Sequence, residues 1–475
     1  MPSPEPYFLS IREQGTAIRE GRLSAVSLAQ AYLDRSRTLG ARLNAYVTLT
    51  PDLALEQAAR ADAELKAGHD RGPLHGIPYA AKDLVAVKGY PTTWGAVPYA
   101  HQSFDYNATV IERLNQAGAV LIGKAAMIEL AGGLGYTNGY ASLTGAAHNP
   151  WNTDCWTCGS SSGSGAVVGA GLASWAIGSD TRGSILCPSS WCGASGLRPS
   201  FGRVSRYGSM AIAYSMDKLG PMARTAEDCA LALSVMAGHD PLDHDSIPAG
   251  DRPFVLAETD PAQGPPLRIG RLTNVYSHGD AGTTKAVDEA CRVFEKAGAT
   301  VEDFAFPDGP FEEAAELTIL MEAASSFREL IHSGHCQQLT DPLGRINGYV
   351  SEQFSAPDYL HVQRVRTFLQ RTADSVFDRY SVVISPSQST AAQPLKAKDP
   401  DEHQQGKKFQ LDRRAPDGVS SLCGLPAISV PCGFSPTRLP YGMQIMGRAL
   451  DDATVLKAAR LYQTHTDWHQ QHPSI

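Results

Sequence analysis

Two serine–glycine loops bracket a single small-residue segment. The first reads Cys158-Gly159-Ser160-Ser161-Ser162-Gly163-Ser164-Gly165, and the second reads Gly178-Ser179-Asp180-Thr181-Arg182-Gly183-Ser184-Ile185-Leu186-Cys187-Pro188. Between them the pattern predicts a small-residue helix from about Gly165 to Leu172 and a strand around Trp175 to Gly178. Glycines let the backbone turn sharply and bring N–H groups close to a ligand. Serine hydroxyls in such loops can relay a proton or attack a carbonyl.

The alternation extends outward in both directions. Upstream, Leu23 to Leu39 reads as an amphipathic helix capped by Ser24, and Thr50-Pro51 opens a second helix that closes at Gly68. Ile77 to Ala81 is a short apolar strand that delivers Lys82 at its end. A helix from Thr109 to Gln116 precedes the strand Ala119 to Ile122. Downstream, Thr225 caps a helix to Met236, and residues 239–266 read as a surface excursion rich in Asp, Pro and Gly. Strand, helix and strand recur at 267–272, 284–298 and 300–304. Residues 311–380 read as mostly helical, with a strand from Val382 to Ser385. Ala427 to Phe434 and Tyr441 to Gly447 are strands joined by a loop too short for anything but an antiparallel pair. A last helix runs from about Asp452 to Gln463. The fold class expected is α/β, a large, mixed, mostly parallel β-sheet covered by helices on both faces.

The chain of 475 residues is read as one domain over 1–475. Its parts are a helical region to about 70, a catalytic core at 71–235, a variable helical region at 311–380 and a C-terminal core at 381–475. A chain of this length can bury a large core without disulfides. A net charge of −8 speaks against a nucleic-acid binder relying on phosphate attraction. The nine cysteines are odd in number in a large chain, so they read as reduced, buried thiols. The start, Met1 to Glu5, has no signal-peptide pattern, and no apolar run reaches spanning length. A cytoplasmic protein with no membrane partner is expected.

Several motifs compete. Gly159-Ser160-Ser161-Ser162-Gly163 fits the Gly-x-Ser-x-Gly elbow of an α/β-hydrolase esterase with Ser161 as nucleophile. The elbow needs a preceding strand, and the stretch before it is turn-rich. Gly118 to Lys124 has the frame of a phosphate loop, but Ala125 stands where a magnesium-binding hydroxyl belongs. Cys155 and Cys158 form a lone C-x-x-C, and His332 and His335 a lone helical pair, so no metal site is expected. None of the fourteen histidines completes a Ser/His/Asp order. Lys82 can run proton transfer in place of histidine if burial lowers its pKa from about 10.4 to near 7–8.

With these residues in view, the chain resembles the amidase signature family of serine hydrolases. Four segments carry the likeness in the family's order: Arg71 to Asp83, Asn149-Pro150-Trp151 with Gly159-Ser160-Ser161, Gly178 to Ile185 with Trp191-Cys192-Gly193, and Gly424 to Gly433. The resemblance implies a Ser–Ser–Lys triad. Lys82 falls on the family lysine, Ser184 on the nucleophile and Ser160 on the bridging serine. Ser161 and Ser162 are the competitors for that last place. Neutral Lys82 would draw a proton from Ser160, and Ser160 one from Ser184. The backbone N–H groups of Thr181, Arg182, Gly183 and Ser184 would cradle the oxyanion. Met127, Gly159 and Ser161 are candidate substrate contacts, and no cofactor is implied. The family usually has Gly at positions 158, 162 and 182 and Arg at 186. Arg182 is therefore expected to pair with a carboxylate such as Asp180.

The function expected is hydrolysis of a small-molecule amide or carbamate through an acyl-enzyme. The alternatives are the glutaminase subunit of a tRNA-dependent amidotransferase and a non-catalytic relative used for binding. The substrate is open. So is the oligomeric state, a homodimer being one option.

Overall fold

The strand after the first serine loop, Trp175–Asp180, is buried at every position and lies deep in the sheet. The computed structural model describes residues 6–248, 250, 252–255, 260–275, 279–395 and 416–475. Met1 to Glu5 lies outside them, as do several positions of the 239–266 excursion.

In chain order the main strands are β1 (Tyr46–Leu49), β2 (Pro78–Lys82), β3 (Val120–Ala125), β4 (Trp175–Asp180), β5 (Ser195–Arg198) and β6 (Lys218–Ala223). They continue as β7 (Arg268–Leu272), β8 (Thr300–Phe304), β9 (Val382–Pro386), β10 (Ala427–Phe434) and β11 (Pro440–Gly447). These form one 11-stranded sheet in the order β1-β3-β2-β4-β6-β5-β10-β11-β9-β7-β8. The sheet is mixed, as expected. The balance differs from the sequence reading: four pairings are parallel and six antiparallel. Strand–helix alternation describes the flanks, where β2 pairs in parallel with β3 and β4, and β7 with β8 and β9. The middle is antiparallel because β6 turns back on both β4 and β5.

The caps explain where most helices start. Ser24 accepts from the Ser27 N–H at the head of Ala25–Arg35, and Thr225 accepts from Asp228 at the head of Ala226–Met236. Thr50 does not cap Pro51–Lys66 as its sequence context predicts. Its hydroxyl instead donates to the Leu121 carbonyl at 2.7 Å and ties that helix to β3.

The small-residue segment becomes the helix Ser162–Gly169, buried along its length. Its glycines are set by backbone contact. A Cβ on Gly163 would lie 2.4 Å from both the Ala126 nitrogen and the Ala45 carbonyl oxygen. Backbone cannot rotate away as a flexible side chain can. Gly163→Ala is expected to lower stability by about 1–3 kcal/mol, read from urea unfolding.

Candidate active site

Lys82 is the last residue of β2 and is fully buried. Its Nζ lies 2.7 Å from Ser160 Oγ, 3.0 Å from Ser161 Oγ and 2.8 Å from Ser179 Oγ. Burial disfavours the ammonium and pulls the Lys82 pKa down to about 7, against the opposing pull of Asp180 and Asp217. A neutral amine offers two N–H donors and one lone pair, which suits three hydroxyl neighbours.

The two adjacent serines are not equivalent. Ser161 Oγ donates to the Ser179 carbonyl at 3.1 Å and accepts from the Ser179 N–H at 3.2 Å. Its one hydrogen is committed there, so toward Lys82 it can only accept. Among the described residues Ser160 Oγ is hydrogen-bonded to Lys82 only and not to Ser184 Oγ. Its hydrogen is free to turn toward the amine. The peptide bond joining Gly159 to Ser160 is cis. A Cβ on Gly159 would fall 2.5 Å from Ile128 Cδ1, so a larger residue there would require the Ile128 side chain to move.

The second loop adjoins the first. The Ser161 N–H donates to the Ser184 carbonyl at 3.2 Å. A disulfide joins Cys158 to Cys187, with Cα atoms 5.9 Å apart. That bond corrects the reading of the cysteines as reduced thiols. Spacing along the chain does not reveal which sulfurs meet in space. The other seven cysteines are free and buried.

Asp180 organises the turn that carries Ser184. Its carboxylate accepts from the Gly183 N–H at 2.7 Å and the Ile185 N–H at 2.8 Å. Burial would raise the Asp180 pKa, but Arg198, Lys218 and these two N–H groups outweigh it and hold it below the usual value. The expected Arg182–Asp180 pair gives way to two others. Asp180 takes Arg198 at 3.3 Å, with both side chains fully buried. Arg182 pairs with Glu312 and, at 2.6 Å, with Glu316, both on the helix Phe311–Ser326. The reason is position: Arg198 lies inside the sheet on the same side as Asp180, whereas Arg182 reaches outward to a neighbouring helix.

The proposed oxyanion cradle also needs revision. The Gly183 N–H is spent on Asp180. The N–H groups of Thr181, Arg182 and Ser184 donate to no protein acceptor among the described residues. Thr181 is steadied by its hydroxyl, which donates to Asp217 at 2.6 Å.

A cavity of about 220 Å³ borders the site at Ser179 and Thr181, with Met210, Tyr214, Asp217 and Leu219 among its walls. Met127 is only 1% exposed and belongs to the main core. The phosphate-loop frame is strand β3, and its Lys124 pairs with buried Asp83 at 2.9 Å. His332 meets Glu352 at 2.7 Å. Among the described residues no group of three or more His, Cys, Asp or Glu could hold a metal ion. No helix there is long and apolar enough to cross a membrane.

The chain as a whole resembles known proteins. Residues 27–456 match the Amidase family profile. The chain belongs to the amidase signature family. The A-type subunit of a glutamyl-tRNA(Gln) amidotransferase from Chloroflexus aggregans is 36% identical to this chain over 99% of both chains. The native peptide amidase of Stenotrophomonas maltophilia superposes with a TM-score of 0.84 at 30% identity, over 98% of each chain. The corresponding amidotransferase subunit from Thermotoga maritima gives 0.79 at 26% identity, covering all of this chain and 98% of that one.

Three features of the site went unread in the sequence. Ser179 is a third hydroxyl on Lys82, Arg198 is the buried partner of Asp180, and Cys158–Cys187 joins the loops. Only the cysteines left a signal, one two residues before Ser160 and the other three after Ser184.

Proposed function

We propose that this amidase hydrolyses the C–N bond of a small-molecule amide or carbamate through a Ser184 acyl-enzyme. The observation that carries the reading is the 2.7 Å contact between buried Lys82 and Ser160. Neutral Lys82 accepts the Ser160 proton while Ser160 accepts that of Ser184. Ser184 Oγ then attacks the carbonyl carbon. The negative charge on the carbonyl oxygen is met by the free N–H groups of Thr181, Arg182 and Ser184. The proton returns through Ser160 to the leaving nitrogen, so an amine departs rather than an amide anion. Water adds to the acyl carbon by the same relay and releases the acid.

The commitment of the Ser161 hydrogen to Ser179 supports Ser160 as the relay. It also weighs against Ser161 as an esterase nucleophile. A fluorophosphonate should label the protein once, at Ser184, and a panel of aryl amides, aliphatic amides, carbamates and glutamine should give turnover on at least one amide or carbamate. Labelling at Ser161, or none, overturns the reading.

Activity should rise with pH along an acid limb centred near 7, because the working form of Lys82 is the uncharged amine. A kcat/KM profile for the best substrate checks this. A flat profile from pH 5.5 to 8.5 speaks against a lysine base.

The second reading is a glutaminase subunit, favoured by the 36% identical Chloroflexus amidotransferase chain. Glutamine as the preferred substrate of the panel, or co-purification with a second protein, would decide for it.

A further inference from the structure

The Cys158–Cys187 disulfide lies at the junction of the two serine loops. One residue, Gly159, separates Cys158 from Ser160. Two residues, Ile185 and Leu186, separate Ser184 from Cys187. Cys187 sits in the first turn of the helix Leu186–Cys192, whose approach carries Ser184. Among the described residues the hydrogen bonds between these loops all run through Ser161: its N–H donates to the Ser184 carbonyl, and its hydroxyl donates to the Ser179 carbonyl and accepts from the Ser179 N–H. The helix Ser162–Gly169 and strand β4 separate the loops along the chain, so neither sets the other's position by local sequence.

Cys158 is also an unusual place for a side chain. Its φ is +61°, in the left-handed region that favours glycine. A residue with a Cβ there disfavours the turn unless its side chain contributes something glycine lacks. What Cys158 contributes is a covalent bond to the other loop. Both residues are nearly buried, 7% exposed for Cys158 and 5% for Cys187.

We propose that this disulfide is a positioning crosslink that sets Ser160 against Ser184, so that amide hydrolysis depends on its thiol–disulfide state. The inference rests on the Ser184–Ser160–Lys82 reading. The crosslink touches no reacting atom. A dithiol reductant opens it in two steps. Its thiolate attacks one sulfur and releases the other cysteine as a thiol. Its second thiol then displaces the first cysteine, leaving two cysteine thiols and an oxidised, cyclic dithiol. With the loops freed, no covalent bond fixes the placement of Ser184 relative to Ser160, and the relay proposed between them slows.

The test compares oxidised wild type, wild type reduced with dithiothreitol, and the double variant Cys158→Gly with Cys187→Ala. Mass spectrometry after thiol alkylation reports the state of the pair. Each form is assayed below its own melting temperature. The expected result is a kcat lower by roughly 10- to 100-fold in both altered forms, with KM nearly unchanged. The rate of fluorophosphonate labelling at Ser184 should fall in parallel, and reoxidation of the reduced wild type should restore both. If the crosslink were purely stabilising, its loss would lower the melting temperature and leave the labelling rate of the folded protein alone.

Either altered form, folded and with the bond absent, is sufficient to decide. Wild-type kcat and labelling rate in that form overturn the proposal. The underlying reading fails differently: oxidised wild type would then not be labelled at Ser184 at all.

Discussion

Ser184→Ala is expected to abolish amide turnover, lowering kcat by at least about 10³-fold, and Lys82→Met is expected to lower it by about 10²–10⁴-fold. The first change removes the atom that bonds to the acyl group. The second leaves that atom in place and removes the acceptor that draws its proton away. The two should not add. Once Ser184 is gone, nothing remains for Lys82 to activate, so the double variant should match Ser184→Ala alone. Steady-state rates on the best substrate of the panel check all three. A double variant markedly slower than Ser184→Ala would show that Lys82 serves the reaction by some route other than the relay.

Lys82→Met also carries a stability signature with a definite sign. The Lys82 pKa in the folded protein is lowered to about 7 from its ordinary 10.5. Between those values the unfolded chain holds the proton and the folded protein does not. Unfolding therefore takes up a proton, and the wild type gains stability as pH rises through this window. Methionine has no such linkage. The melting temperature of Lys82→Met relative to wild type should be highest near pH 7 and should fall as the pH climbs toward 10. A difference independent of pH would mean that Lys82 keeps its proton when folded.

The parts of the site that could be read from sequence are those whose meaning is local. Ser160 sits beside Gly159, Ser184 lies in a glycine loop, and Lys82 closes a short apolar strand. In each case the neighbouring residues already limit what the backbone can do. Partner choice is not local. Arg182 and Arg198 are both arginines near Asp180 in sequence. Only the register of the sheet shows that Arg198 lies inside with it while Arg182 turns toward Glu312 and Glu316. Ser179 hides for the same reason. It is one more serine in a serine-rich loop until β4 is laid beside β2 and its hydroxyl lands on Lys82. The direction of the central strands has the same origin. Nothing in the composition of β6 fixes its antiparallel run between β4 and β5.

Arg198→Met is expected to destabilise the protein by about 3–5 kcal/mol, because it strands a fully buried carboxylate at Asp180. Arg198 donates to Asp180, to Ser421 at 2.8 Å and to Ser420. Its loss removes the strongest influence holding the Asp180 pKa down, so the carboxyl should shift toward its protonated form. A protonated Asp180 has one oxygen less able to accept, yet both oxygens are needed, one for the Gly183 N–H and one for the Ile185 N–H. The turn that carries Ser184 should loosen, and kcat should fall with stability. Pairing the change with Asp180→Asn separates the two effects. The double variant removes the stranded charge, so it should recover much of the lost stability in urea unfolding. Asparagine has a single carbonyl oxygen and cannot accept at both positions, so activity should stay low. Recovery of both together would mean that the Asp180–Arg198 pair serves the fold alone and that the Ser184 turn holds its shape without the carboxylate.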